Sequence, residues 1–244
     1  MRSIGEALER IKESIENGIP RVHVQHKRDV GKLLISVPGA EIKLEVNLVG
    51  RGCFKDPVKM HLCARAQEEF DVFNIMSVVP FGQLFGGKIC AALDRQHPRD
   101  LFDIKYLLNN EGFSDEVRQG FLFCLLGSDR PMNEVLVPNF QDQRLALANQ
   151  FSGMSAEEFS YEEYDALRGQ LVATVHESLT QSDKDFLLSF KNAEPDWSIY
   201  DFEKFPSIQW KLRNLTILKM NNPGKHREQF EILEEKLKIE KRGV

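Results

Sequence analysis

The sequence has few cysteines, and their spacing excludes the common cysteine-based sites. The four residues, Cys53, Cys63, Cys90 and Cys124, are too far apart for a Cys-x-x-Cys pair, and no Cys/His cluster has the spacing of zinc ligands. We therefore expect a reduced protein with buried thiols.

The sequence also lacks long apolar runs. Its first 18 residues, MRSIGEALERIKESIENG, carry charges throughout and have no central apolar stretch, which excludes a signal peptide. No later segment has the length of uninterrupted apolar residues that a membrane span needs. These absences predict a cytoplasmic protein without a membrane partner.

Net charge is low as well. A formal charge of -5 and a pI near 5.8 argue against a protein coated with basic residues, so any nucleic-acid site must be local. The composition is 42% hydrophobic and 28% charged, which is sufficient to bury a real core.

The first 50 residues predict a helix followed by a small sheet. Apolar residues recur at helical spacing over 3–17, and Asn17-Gly18 ends that helix. Three strand-like runs follow at 21–26, 32–37 and 41–49, separated by turn sequences.

The third of these runs has one polar face. Ile42, Leu44, Val46 and Leu48 alternate with Lys43, Glu45 and Asn47, so the two sets point to opposite sides of the strand. A solvated sheet face explains this alternation equally well, and Glu45 gains interest only if a neighbouring strand supplies further carboxylates.

After a loop at 50–63 and a buried strand within 70–81, the pattern becomes helical. Apolar spacing predicts helices over the following segments: 83–96, 99–109, 114–126, 141–150, 161–179, 182–192, 207–221 and 224–241. The predicted fold class is α/β in the α+β sense, with a small mixed sheet followed by a C-terminal helical bundle. We place the domain boundary near residue 110, which gives domains 1–110 and 111–244.

Charged residues concentrate in the stretch 86–108, GGKICAALDRQHPRDLFDIKYLL. Lys88 and Arg95 are seven residues apart and so lie on one line of a helix, with small alanines between them. Pro98 starts the next helix, whose first turns carry Arg99, Asp100 and Asp103, and Arg99 can pair with Asp103 at i,i+4. A salt-bridged helix pair is the structural alternative to a phosphate site.

This stretch resembles the C-terminal signature of the AbiEii/AbiGii-type nucleotidyltransferases, the toxins of abortive-infection toxin–antitoxin systems used in phage defence. In that family a lysine helix is followed by an RDxxD helix, here Arg99-Asp100-Leu101-Phe102-Asp103. Four other segments also resemble sequences of this family: EIKLEVN at 41–47, HLCARAQEEF at 61–70, EPDW at 194–197 and WKLRNL at 210–215. The resemblance therefore covers nearly the whole chain.

The resemblance implies a fold related to polymerase β and the transfer of a nucleoside monophosphate from a nucleoside triphosphate to an acceptor such as tRNA. It implies Mg²⁺ held by a DxD strand and a third carboxylate, for which Glu45 is the candidate. It makes Lys88, Asp103 and Glu45 the catalytic candidates. Lys88, Arg95 and Arg99 become the phosphate-binding candidates, and Pro98 and Asp100 shape the elbow.

The sequence departs from the family at the Gly-Ser turn and the DxD strand, which belong upstream of the first helix. Gly127-Ser128 has no DxD behind it, and Asp183-Lys184-Asp185 begins a helix far downstream. Either the reading frame starts late or this is a natural truncated form that kept the fold and lost the metal site.

The departure leads to four expectations. The chain by itself is catalytically inactive, and it is open whether it binds Mg²⁺ or nucleotide. The alternative function is a non-catalytic module that engages an antitoxin, a tRNA or a homologous partner. The sheet edge left without its DxD strand favours a homodimer through that edge.

Overall fold

A computed structural model describes residues 2–46 and 52–238, which fall into two compact units, Met1–Gly50 and Arg51–Val244. Each unit has its own hydrophobic core. Within the described residues, no helix combines the length and apolar character needed to cross a bilayer.

The first unit is one helix on a three-stranded antiparallel sheet in the order β1-β2-β3. Its elements are α1 (Arg2–Gly18), β1 (His23–Lys27), β2 (Lys32–Val37) and β3 (Ala40–Glu45). The register pairs Val24 with Ile35 and Lys32 with Glu45. The helix and the three strands confirm the predicted element order; β3 ends at Glu45, and residues 47–49 of the predicted run lie outside the described residues.

Leu8, Val24 and Leu33 form the buried centre of this unit. Leu44 and Val46 pack against it as the alternation predicts, but Ile42 is 64% exposed. Ile42 lies near the turn into β3 and pairs with Ile35 of β2. Leu48 and Asn47 lie outside the described residues.

The second unit begins with a two-stranded antiparallel sheet. It contains β4 (Val58–His61), α2 (Ala64–Phe70) and β5 (Ile75–Val78). Two predictions are wrong here, because the expected loop contains β4, and β5 is exposed rather than buried. A two-stranded ribbon has no second layer within the described part of the chain, so its apolar side chains stay accessible.

The remainder of the second unit is helical, as predicted. The helices are α3 (Phe81–Arg95), α4 (Pro98–Tyr106), α5 (Asp115–Leu126), α6 (Met132–Leu136), α7 (Arg144–Gln150), α8 (Tyr161–Ser178), α9 (Gln181–Lys191), α10 (Pro206–Asn221) and α11 (Pro223–Leu237). A short π-helix, Leu107–Glu111, continues α4. The pattern missed α2 and α6, which have only seven and five residues.

The α+β class is confirmed, but the described strands of both sheets pair antiparallel where a mixed sheet was expected. Helices on both sides of residue 110 contact each other, since α3 packs along α5. The proposed domain division at residue 110 stays a prediction. Cys90 and Cys124 are buried as expected, whereas Cys63 is exposed.

Candidate functional site

The candidate site is built on α3, which lies unusually close to α5. A Cβ atom on Gly86 would lie 2.2 Å from the carbonyl carbon of Gly120, and one on Gly120 would lie 1.9 Å from the carbonyl oxygen of Gly82. Only glycine permits the two backbones to touch at these positions. This contact fixes one face of α3 and leaves Lys88 and Arg95 on another.

The elbow after α3 is anchored by a buried glutamine. Gln96 has a left-handed backbone with φ of 52°, and its side-chain Nε2 donates to the Asn139 carbonyl at 2.8 Å. The Tyr164 hydroxyl donates to the Gln96 carbonyl at 2.6 Å. The direction in which the chain leaves α3 is therefore set by contacts from distant parts of the second unit.

The next helix begins with a cap and a proline. The His97 ring Nδ1 accepts a hydrogen bond from the Arg99 backbone N–H at 3.2 Å, and Pro98 occupies the first turn of α4. Both features stabilise a helix start. Pro98 thus has the position that the sequence predicts for it.

Two ion pairs join α3 to α4. Lys88 Nζ lies 2.5 Å from Asp103 Oδ2, and Arg95 donates from Nε and Nη2 to the two carboxylate oxygens of Asp100 at 2.5 and 2.8 Å. The structure therefore brings together four of the predicted site residues, and each cation is held by one carboxylate.

Arg99 differs from the other two cations. Its side chain is exposed and has no ion pair or hydrogen bond with any other described residue. The expected pair with Asp103 is wrong, because Asp103 turns towards Lys88 on the neighbouring helix. Arg99 is thus available to an external anion.

The two ion pairs have different surroundings. The Lys88 and Asp103 side chains are 35% and 37% exposed, so water screens this pair. The Asp100 side chain is only 7% exposed while Arg95 is 56% exposed. The hydrogen bonds that Arg95 donates to Asp100 raise the pKa of Arg95 above its ordinary value.

Glu45 belongs to the first unit and is engaged there. Its carboxylate lies 2.5 Å from Lys32 Nζ and 3.1 Å from Lys43 Nζ, and these hydrogen bonds, with that of Lys32 the larger, lower its pKa. Two ammonium groups at this distance repel a divalent cation.

The carboxylates of the described residues do not fit a magnesium site as they are arranged. Asp100 and Asp103 each hold a cation, and Glu45 holds two. Across residues 2–46 and 52–238, no three His, Cys, Asp or Glu side chains come together as metal ligands. We therefore assign no catalytic step to a bound metal.

The segments Gly127-Ser128 and Asp183-Lys184-Asp185, which were considered in place of the family's Gly-Ser turn and DxD strand, have structural roles. Asp183 is fully buried, accepts hydrogen bonds from Arg118 and the Tyr200 hydroxyl, and completes the N-terminal cap of α9 with Thr180. The Ser128 carbonyl accepts a hydrogen bond from the buried Lys211 ammonium at 2.8 Å. Neither segment forms part of the elbow.

Sequence reasoning missed the residues that support the elbow. Gln96 gave no sequence signal, because its hydrogen-bond partners lie more than 40 residues away. The glycines at 82, 86 and 120 were a usable signal, since three glycines inside two helical patterns indicate a close backbone contact.

One comparison with known proteins gives a match. The family model described as "Nucleotidyl transferase AbiEii toxin, Type IV TA system" matches residues 1–214. No curated protein and no solved structure matches the chain. The matched part includes all of the first unit and the whole elbow between α3 and α4.

Proposed function

The chain belongs to the AbiEii nucleotidyl transferase toxin family of type IV toxin–antitoxin systems, and from that membership we propose that its elbow binds the phosphates of a nucleoside triphosphate. The family generally uses a nucleoside triphosphate and a divalent metal, and its systems include a cognate antitoxin. In the reaction that membership of this family implies, an acceptor hydroxyl forms a bond to the α-phosphorus, and pyrophosphate leaves.

The observation that supports this proposal is the pairing of Lys88 with Asp103. Because both side chains are more than one third exposed, the pair costs little to open. A triphosphate carries more negative charge in total than a carboxylate, and one of its oxygens can replace Asp103 as the partner of Lys88. Asp103 would then be free to accept a proton near the acceptor.

Arg95 and Arg99 would extend the phosphate site along the elbow. Arg95 keeps one guanidinium edge on the buried Asp100, and more than half of its side chain is exposed. Arg99 has no competing carboxylate among the described residues. We propose that Arg99 contacts phosphate directly and that Arg95 contributes mainly by holding the elbow in shape.

We further propose that these 244 residues do not transfer nucleotides by themselves. The only DxD in the sequence is the helix cap Asp183-Lys184-Asp185, and Glu45 is neutralised by two lysines. This arrangement favours the second candidate, a non-catalytic module that binds an antitoxin, a tRNA or a homologous partner.

A transfer assay tests activity. The chain is incubated with tRNA, Mg²⁺ and each α-labelled nucleoside triphosphate in turn, and we expect no incorporation above background. Incorporation that disappears in Lys88→Ala but persists in Lys204→Ala, a remote exposed lysine, would contradict the proposed inactivity.

A binding assay tests the elbow separately. We expect Lys88→Ala to weaken calorimetric binding of a nucleoside triphosphate roughly tenfold, or about 1.4 kcal/mol, and Lys204→Ala to leave it unchanged. Equal affinity of the wild type and Lys88→Ala would contradict the phosphate role.

The non-catalytic alternative has its own measurement. A tRNA mobility shift at two salt concentrations should weaken steeply with salt if phosphate contacts supply the affinity. Salt-insensitive binding, or none, leaves the antitoxin as the partner to test by co-purification.

A homodimer through a sheet edge remains part of the proposal, as does a cytoplasmic location. The outer strands of the three-stranded sheet are β1 and β3. Unpaired outer strands favour pairing with another chain. Sedimentation as a strict monomer at high concentration would contradict the dimer, and cell fractionation tests the location.

A further inference from the structure

A cavity of about 430 Å³ lies beside α4. It is formed by α7, the segment 151–160 and the first residues of α8. Phe102 of α4 packs against Phe151 and Phe159 with ring centroids 5.0 and 5.4 Å apart. One helix thus presents carboxylates to α3 and supports the cavity with an aromatic ring.

Three aromatic residues, Phe151, Phe159 and Tyr161, form part of the cavity wall. Phe151 and Phe159 are buried, and their rings also contact each other edge to face. At the rim, the Arg144 guanidinium lies 4.3 Å from the centre of the Tyr161 ring. The carboxylate of Asp142, 2.8 Å from Arg144 Nη1, compensates this charge. The rim therefore already holds one guanidinium, that of Arg144, against the ring of Tyr161.

The charge around the cavity is negative. Of the lining residues, Arg144 is basic and Glu157 and Glu158 are acidic, and residues 145–167 carry three further acidic side chains. Lys105 pairs with Glu163 at 2.8 Å and lies 3.8 Å from Glu157, and Asp165 pairs with Arg168. Glu158 lines the cavity and makes no hydrogen bond or ion pair with the rest of the described chain.

This combination disfavours a phosphate-bearing ligand and favours a cation. A free carboxylate gives a guanidinium two parallel acceptor oxygens, and the aromatic walls suit its flat, weakly hydrated faces. A lysine ammonium would use only one of these features. A ring of the size of a nucleobase would fit the volume, but its phosphate would approach Glu158, the lining carboxylate that has no cation partner among the described residues.

We infer that this cavity binds the guanidinium of an arginine side chain presented by a protein partner, with Glu158 as the carboxylate that receives it. The site is distinct from the elbow, because its lining contains none of the ion-paired elbow residues, Lys88, Arg95, Asp100 and Asp103. It does not depend on nucleotide binding or on nucleotidyl transfer.

Titration of the full chain with N-acetyl-arginine amide tests the inference. Amide ¹H–¹⁵N spectra should show shifts concentrated at 151–161, and N-acetyl-citrulline amide, which has nearly the same shape and no charge, should cause none. We expect Glu158→Gln to weaken arginine binding at least threefold. The control Glu162→Gln, an exposed acid on α8 outside the cavity lining, should leave the affinity unchanged.

Four outcomes would overturn the inference. They are the absence of shifts at 151–161, equal binding of the arginine and citrulline probes, equal weakening by the two glutamine variants, and tighter binding of a nucleoside monophosphate at the same amides. Because the titration uses neither triphosphate nor acceptor, it can succeed or fail independently of the phosphate site at Lys88.

Discussion

At the scale of single residues, Lys88 and Arg95 show how burial separates two similar ion pairs. They lie on the same face of α3 and each holds an aspartate of α4. Removing Lys88 leaves Asp103 free to turn into water. Removing Arg95 leaves the almost buried Asp100 with its charge uncompensated.

The first prediction follows from this difference. Lys88→Ala should change the free energy of unfolding by less than about 1 kcal/mol. Arg95→Ala should lower it by about 1–3 kcal/mol, because a buried acceptor loses its donor. Urea denaturation measures both. Asp100→Asn in the Arg95→Ala background should restore part of the loss, and equal effects of the two single substitutions would contradict the argument.

Glu9 provides the second prediction at this scale. Hydrogen bonds from His26 and then Arg28 lower the pKa of Glu9 to about 2. A carboxylate with a lowered pKa stabilises the folded state above its unfolded pKa of about 4.5 and loses that effect as the pH falls towards 2. The stability difference between the wild type and Glu9→Gln should therefore be full above pH 5 and shrink towards pH 2.

Urea denaturation between pH 2 and 7 measures this difference. Glu13→Gln is the matched control, since Glu13 is an exposed acid of the same helix with no ion pair among the described residues. A difference from the wild type that does not change with pH would show that the Glu9 contacts are not electrostatic.

At the scale of elements, the position of the site depends on the contact between α3 and α5. The glycines at 86 and 120 allow this contact, while Gly87 next to them points elsewhere and its Cβ would meet only the Cys124 sulfur at 3.8 Å. The neighbouring glycines therefore have different roles. Gly86 and Gly120 set the distance between the two helices, whereas Gly87 occupies an ordinary helical position.

The third prediction compares these glycines. Gly120→Ala should destabilise the protein by about 1–3 kcal/mol or more, because the two backbones must separate. Gly87→Ala should be neutral or stabilising by up to about 1 kcal/mol, since alanine is the better helix former. Thermal and urea unfolding test both. A mild effect of Gly120→Ala would mean that α3 and α5 can move apart at little cost.

The local sequence pattern was sufficient to predict most of the helices, partly because their N-terminal caps are encoded by nearby residues. Ser114, Ser160 and Thr180 each accept a hydrogen bond from a backbone N–H of the first turn of a helix. Such signals lie within a few residues of the helix that they start. The helix α6 was missed because five residues are too few for a periodic pattern, and α2 was missed because Phe70 is its only large apolar residue.

At the scale of the whole molecule, the two hydrophobic cores share no residue. One is centred on Leu8, Val24 and Leu33, and the other is built entirely from residues after Arg51. Each unit therefore buries its own apolar surface. By contrast, a cut near residue 110 would remove α3 and α4 from the larger core.

The fourth prediction uses this contrast. A fragment of residues 52–238 should retain helical circular dichroism and cooperative urea unfolding. A fragment of residues 111–244 should unfold without cooperativity, because the α5 face that includes Phe121 and Cys124 loses its cover. Cooperative folding of the shorter fragment would instead support the domain boundary near residue 110.

The sequence by itself determined the family, the α+β class and the identity of the charged elbow. These features depend on neighbours in the chain, such as helical spacing between Lys88 and Arg95, a proline that starts α4 and the RDxxD order. Their physical causes act over one or two helical turns, so a single sequence is enough to read them.

Only the tertiary structure decided which charges meet and which sites stay open. Asp103 forms its ion pair with Lys88 and not with Arg99, and Glu45 pairs with two lysines. Glu158 has no ion pair among the described residues and lines the cavity beside α7. Periodicity places a side chain on a face, but the partner depends on the approach of another element. That approach is set by packing, here by the glycine contact between α3 and α5 and by the hydrogen bonds of Gln96 to residues far along the chain.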